Sequence, residues 1–336
     1  MPQFQSFTNE DKIVETTKVT KGFFTGDIGT LAGSSFVTAS LTADQKEYYY
    51  NLQNTSADQF SVTYGHWDGS GSNDTVGQTQ AIYKYFGDML LFPEDMESNG
   101  FQFDGSTKEK DVWFFVAERA RMKDRVNRKN WTIHLSGSSN GGASPINGLS
   151  LTDDSKDITS TPSPVGPRYN IVSGTLGSVV TPAATKTYGW FYPNVGIMAF
   201  SGTQLSASIR GDATTDMQGF APDVRVDGNA DNAYKFVHAV TASATGVTMR
   251  NEEDQITTSY FIRARARDWN FSNNPTFGSG SDYTFAIREF TGNPQTFITT
   301  VGLYDAQSRL VAVGRLSTPV LKNFSTEAVM KVNLTY

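Results

Sequence analysis

Residues 260–277 read YFIRARARDWNFSNNPTF. The first eight alternate, with Phe261, Arg263, Arg265 and Arg267 on one side and Tyr260, Ile262, Ala264 and Ala266 on the other. A period of two predicts a strand with one face to pack and one to display. Three arginines on the displayed face of an acidic chain leave three readings open: they grip nucleic acid, hold a charged small molecule, or meet acidic groups on another subunit.

Working outward, the same period recurs. Val112 to Ala117 is an apolar run, and Trp131, Ile133 and Leu135 alternate against Thr132, His134 and Ser136. Further strands are expected at 169–173, 189–191, 196–201, 204–209, 234–240, 259–267, 283–290 and 297–304, each bounded by turn residues. Residues 305–308 read as the turn of a hairpin, and the last eight residues alternate again. Two stretches read as helices instead. LTADQKEYYYNLQ (41–53) carries Thr42 and Gln45 in the pattern of a capping box, and GQTQAIYKYFGDMLL (77–91) places Ile82, Phe86 and Leu90 at helical spacing. The expected fold is therefore β-rich α+β, mostly antiparallel, with two short helices in an N-terminal part and a β-sandwich-like C-terminal part. Prolines 162, 164 and 167 remove backbone donors and mark a loop; they place the expected boundary between residues 1–160 and 161–336.

The chain has 336 residues, a net charge of −6 and no cysteine. Its length allows one large β domain or two ordinary ones. Without cysteine there is no disulfide scaffold, thiolate nucleophile or thiolate metal site, which fits assembly in a reducing cytoplasm. The N-terminus lacks the charge and apolar run of a signal peptide, and no window approaches the length of a membrane span.

Chemistry is harder to find. The glycines of KGFFTGDIGTLAGSSF (21–36) are not followed by the Lys-Ser/Thr pair of a phosphate loop. His66, His134 and His238 are not at metal-ligand spacing. His66 lies two residues from Asp68 and could start a metal or acid–base site, but a turn histidine bonded to backbone is the favoured reading; His134 reads as a surface or interface histidine. SGSSNGGASPINGLS (136–150) lacks the G-x-S-x-G elbow. Asp153-Asp154 and Glu252-Glu253-Asp254 read as solvated surface acids, and no calcium loop fits. No catalytic residue, metal or other cofactor is expected.

Residues 118–130 hold six basic side chains, Arg119, Arg121, Lys123, Arg125, Arg128 and Lys129, opposed by Glu118 and Asp124. An acidic chain without a recognised nucleic-acid module favours a protein interface or solvated face over nucleic acid for this stretch, and likewise for Arg263, Arg265 and Arg267.

DWNFSNNPTF (268–277), followed by NPQTFITTVGLYDAQSRLVAVGRLSTPVLKNF (293–324), resembles a family of virion structural proteins of contractile-tailed bacteriophages, those of marine and cyanobacterial hosts above all. KGFFTGDIGTLAG, QTQAIYKYFGDMLL and ARMKDRVNRKNWTIHLSG fit the same pattern, so the resemblance touches most of the chain and is strongest in the last eighty residues. It implies a particle component without enzymatic activity, of tail or baseplate type, located in the virion and held by other structural proteins or by copies of itself. Two rivals stand beside it: a head or neck component contacting capsid or DNA, and a carbohydrate-binding or carbohydrate-cleaving tail protein using Trp67, Trp113, Trp190 or Trp269.

Overall fold

The computed structural model describes residues 5–71, 76–137, 146–180, 186–206, 208–209, 220, 222–223, 227–279, 282 and 284–336. The fold is β-rich α+β with mostly antiparallel sheets. It divides into two compact units: Lys18–Glu253, and Met1–Thr17 together with Asp254–Tyr336. The strands Lys12–Gly22 and Arg250–Ala264 each begin in one unit and end in the other.

The larger unit is built on one long sheet. Its strand order runs Thr30–Leu31, Val247–Thr248, Thr132–Gly137, Ile146–Asp153, Gly166–Thr175, Gly189–Tyr192, Ile197–Ser201, Asp111–Ala117, Ala57–His66, Tyr50–Asn54 and Val37–Thr38. The apolar run DVWFFVA is explained by burial on both faces. Trp113 and Phe115 join one core cluster with Phe236 and Val237 of the helix Asn229–Thr241. Val112 and Phe114 join a second with Ile82, Tyr83 and Leu90 of the helix Val76–Leu90. A strand covered on both sides has no polar face to alternate with.

The glycine-rich start is core material. Phe23 stacks on Phe60 at 5.1 Å, and Phe24 meets Phe36 edge-on. A side chain at Gly33 would strike the carbonyls of Val240 and Ser243, both 2.4 Å from its Cβ position, so glycine lets this segment touch the end of the helix Asn229–Thr241.

Several expectations hold. Thr42 and Gln45 form their reciprocal cap, but the helix expected over 41–53 is a single turn, Ala43–Lys46, and residues 50–53 lie in the strand Tyr50–Asn54; the second helix follows its spacing. Others are overturned. Residues 234–240, expected as a strand, lie in the helix Asn229–Thr241, because Ala233, Phe236, Val237 and Val240 bury one helical stripe. Residues 204–209 begin in the short helix Gly202–Leu205, whose N-cap Ser201 accepts from the Gln204 amide. The proline-rich stretch is no boundary. Thr161–Ser163 folds back on Gly166–Thr175, with Pro162 opposite Pro167, inside the larger unit. Pro162 lies in the outlying strand of this hairpin and Pro164 in its turn, where a missing donor costs least, while Pro167 stands near the start of Gly166–Thr175, which continues the same sheet as the strands before residue 160.

In the smaller unit Arg250–Ala264 pairs with Ala328–Thr335, from Thr257 opposite Thr335 to Ala264 opposite Ala328. The expected C-terminal hairpin is present as Thr296–Tyr304 and Leu310–Lys322. Its turn is tied by Asp305, which accepts from the amides of Gln307 and Arg309 and from Arg309 Nε at 2.7 Å. The strand expected at 283–290 shrinks to Thr284–Phe285, followed by the 3-10 turn Arg288–Phe290.

Candidate functional site

The two units differ sharply in how they bury apolar surface. Every member of both core clusters belongs to the larger unit. In the smaller unit the buried apolar side chains among the described residues are Ala264, Phe277, Leu303 and Met330. Exposed ones are plentiful there. Along the hairpin, Tyr304 faces Leu310 and Gly302 faces Val313 across the ladder, so these side chains share one face, with Val311 at the irregularity beside them. Tyr304, Leu310, Val311 and Val313 are 47–63% exposed. The strand Thr296–Tyr304 contains no charged residue and no proline, and its outer edge is unpaired among the described residues. Natural proteins normally guard such an edge with charge, proline or cover.

The arginine stretch is not one strand face. Arg263 stands on the strand, which ends at Ala264; Arg265 and Arg267 lie in the turn beyond it. All three are exposed. The turn breaks the alternation because it is pinned from beneath. Buried Lys322 donates from Nζ to Ala266 O and Asn270 Oδ1, both at 2.8 Å, and to Asn323 O at 2.9 Å. Asn270 Nδ2 returns to Ala266 O, and Thr296 Oγ1 donates to Trp269 O at 2.7 Å. These bonds hold Trp269 at φ 62°, a left-handed conformation that a bulky residue adopts only under constraint. Above the turn lies a cavity of about 480 Å³ lined by Arg267, Asp268, Trp269, Phe271, Phe285 and Phe324. Trp269, Phe271 and Phe324 are exposed at its rim.

The basic stretch 118–130 is partly consumed inside the larger unit. Arg125 Nε bonds Glu252 Oε1 at 2.7 Å, Arg128 bonds the Tyr169 hydroxyl, and Arg121 reaches Thr25 Oγ1 at 3.4 Å. Arg119, which donates to the Lys123 carbonyl, is exposed, as are Lys123 and Lys129. Of the five acids expected on the surface, Asp153, Asp154 and Glu252 are internal, and Glu253 and Asp254 are half-buried. Asp153 accepts from the Lys129 amide, Asp154 from the Asn170 amide and side chain, and Glu252 from Arg125 and Lys18. They cap turns and pair with strands, which adjacency in sequence does not reveal.

His66 ends the strand Ala57–His66 and is fully buried. Its Nδ1 accepts from the Asp68 amide, and its Nε2 lies 3.9 Å from Asp111 Oδ1 and 3.6 Å from Asp223 Oδ1. Asp111 accepts from the Tyr64 hydroxyl at 2.5 Å and the Asp223 amide at 2.8 Å. Nearby Glu109 accepts from Ser201 and Thr203. Burial raises the pKa of both carboxyls, and their hydrogen bonds oppose it. None of these groups lines the aromatic groove of about 580 Å³ formed by Tyr48, Tyr49, Asn51, Tyr85 and Phe86. The cluster is an interior polar network joining the sheet to the segments around Ser201 and Asp223. His134 bonds Ser150 Oγ across the ladder, and burial lowers its pKa. Among the described residues no group of three His, Asp or Glu is placed to hold a metal. No helix among them is long and apolar enough to cross a membrane.

Of the tryptophans weighed for sugar stacking, Trp113 and Trp190 are core, and Trp67 is covered by Tyr83 and Lys108. Trp269 alone of the four is exposed. The serine- and glycine-rich residues 138–145 lie outside the described residues. Comparisons with family models, curated proteins and solved structures find no match to this chain.

Proposed function

We propose that this chain is a non-enzymatic structural subunit of a bacteriophage particle, a tail or baseplate component that assembles through its smaller unit. The observation that carries the assembly role is the imbalance of burial. A unit with four buried apolar side chains among its described residues and a hairpin face of Tyr304, Leu310, Val311 and Val313 in solvent is a surface to be covered. Covering the exposed half of each such side chain contributes about 1 kcal/mol, and the unguarded edge of Thr296–Tyr304 offers backbone pairing to a neighbour. The phage assignment rests on the resemblance of residues 268–277 and 293–324, which span the pinned turn and this hairpin.

Arg263, Arg265 and Arg267 then belong to the contact surface, with Arg119, Lys123 and Lys129 as a second exposed basic set. Arg121, Arg125 and Arg128 have structural work within the larger unit. The test is incorporation. Leu310→Ser with Val313→Ser should leave the chain folded and abolish its entry into particles; normal incorporation would end the proposal.

A further inference from the structure

The cavity beside the pinned turn is built like an anchor socket. Its rim combines tryptophan, phenylalanine and arginine, residue types enriched at protein interfaces, tryptophan and arginine being among those that dominate binding energy there, and its volume of about 480 Å³ accepts a large side chain. Its backbone is held in advance by Lys322, Asn270 and Thr296, so little ordering cost remains for binding. Arg265 and Arg267 stand exposed on the same turn, and Arg267 lies 3.7 Å from Asp268. This socket calls for an apolar anchor flanked by carboxylates.

The chain carries such a segment itself. The smaller unit holds nine of the 28 basic and nine of the 34 acidic residues, so it is neutral and the whole net charge of −6 sits on the larger unit. Within the larger unit, residues 85–107 contain Asp88, Glu94, Asp95, Glu97 and Asp104 and no Lys or Arg. The short helix Pro93–Ser98 presents Glu94, Asp95 and Glu97 to solvent. Immediately before it stands Phe92, 41% exposed and the one exposed phenylalanine among the larger unit's described residues.

We infer that the socket at Trp269 receives the Phe92 knob of a second copy of this chain, with Glu94, Asp95 and Glu97 meeting Arg265 and Arg267. The inference rests on the assembly role proposed above and names the partner of that surface. The contact joins different patches of two copies. It is therefore heterologous, and repetition closes a ring or propagates a filament.

A reciprocal charge swap tests it. One variant of the full chain carries Arg265→Glu and Arg267→Glu, the other Glu94→Lys and Asp95→Lys. Self-association is followed by sedimentation at low and high salt. The unaltered chain should associate with concentration, less so at high salt. Each variant alone brings like charges together and should associate at least about tenfold more weakly. Mixed one to one, the variants pair opposite charges at every contact and should regain association. Circular dichroism confirms that both are folded. An unaltered chain that stays monomeric, a variant that associates normally alone, or a mixture that does not recover would overturn the inference. Incorporation into particles is scored separately, so a failed swap leaves the assembly role standing on its own test.

Discussion

Lys322 Nζ and Asn270 Oδ1 lie 2.8 Å apart beneath the surface of the smaller unit. This bond, with those to Ala266 O and Asn323 O, turns an arginine-bearing strand into a fixed loop. Burial lowers the lysine's pKa, yet three acceptors surround its ammonium. Lys322→Met removes the donor and leaves Asn270 Oδ1 unpaired, while Ala266 O keeps Asn270 Nδ2 and Asn323 O keeps Thr326, so it should destabilise the smaller unit by about 1–3 kcal/mol. Hydrogen exchange of residues 265–271 should rise with it, while exchange in the larger unit's sheet stays unchanged.

Trp269 offers a test in which stability and association move apart. Its left-handed backbone costs roughly 1–3 kcal/mol for a side chain other than glycine. Trp269→Gly should therefore leave the melting temperature level or raise it slightly, and weaken copy–copy association by removing the socket wall. A variant that loses both together would show that the ring chiefly packs its own unit.

The pH dependence of stability should have two limbs of opposite sign. Burial disfavours the charge of Glu252, but hydrogen bonds from Arg125 and Lys18 outweigh it and hold the carboxyl below its usual value. Its contribution is present above the ordinary glutamate value near ~4.3 and is lost as pH falls through the lowered folded value. Glu109 and Asp111 are raised chiefly by burial. Their contribution is complete below the ordinary carboxyl range and lost as pH rises through the raised values. In melting curves across the acid and neutral range, Glu252→Gln should flatten the acid limb. Glu109→Gln should reduce the loss on going from acid to neutral pH.

The exposed hairpin face predicts a separation of folding from assembly. Leu310 and Val313 are 54% and 60% exposed, so Leu310→Ser and Val313→Ser should change unfolding free energy by no more than about 0.5 kcal/mol each. Denaturant unfolding of the isolated chain checks the first half, and particle incorporation the second.

Much of this architecture was legible in the sequence. The turn at Asp305, the capping box at Thr42 and the strands around residues 118–130 follow from local turn chemistry and period. The helix Asn229–Thr241 was misread because Phe236, Val237 and Val240 also suit a strand, and only the sheet beneath them decides. The arginine stretch was misread for a related reason. Alternation continues through Arg267, but the chain leaves the ladder at Ala264 because Lys322, 56 residues away, claims the Ala266 carbonyl. Long-range partners of this kind, like those of Arg125 and Asp153, leave no local signature. Of the socket, the sequence offers only Trp269 as one of four tryptophans weighed for sugar stacking, and nothing local marks it as the exposed one.

The measurement that bears most directly on the assembly role is quantitative mass spectrometry of purified particles separated into heads and tails. The account predicts this chain at fixed stoichiometry in the tail fraction, in six copies or a multiple of six for a baseplate position. Its absence from both fractions would contradict the account, and enrichment in heads would move it from the tail to the capsid or genome.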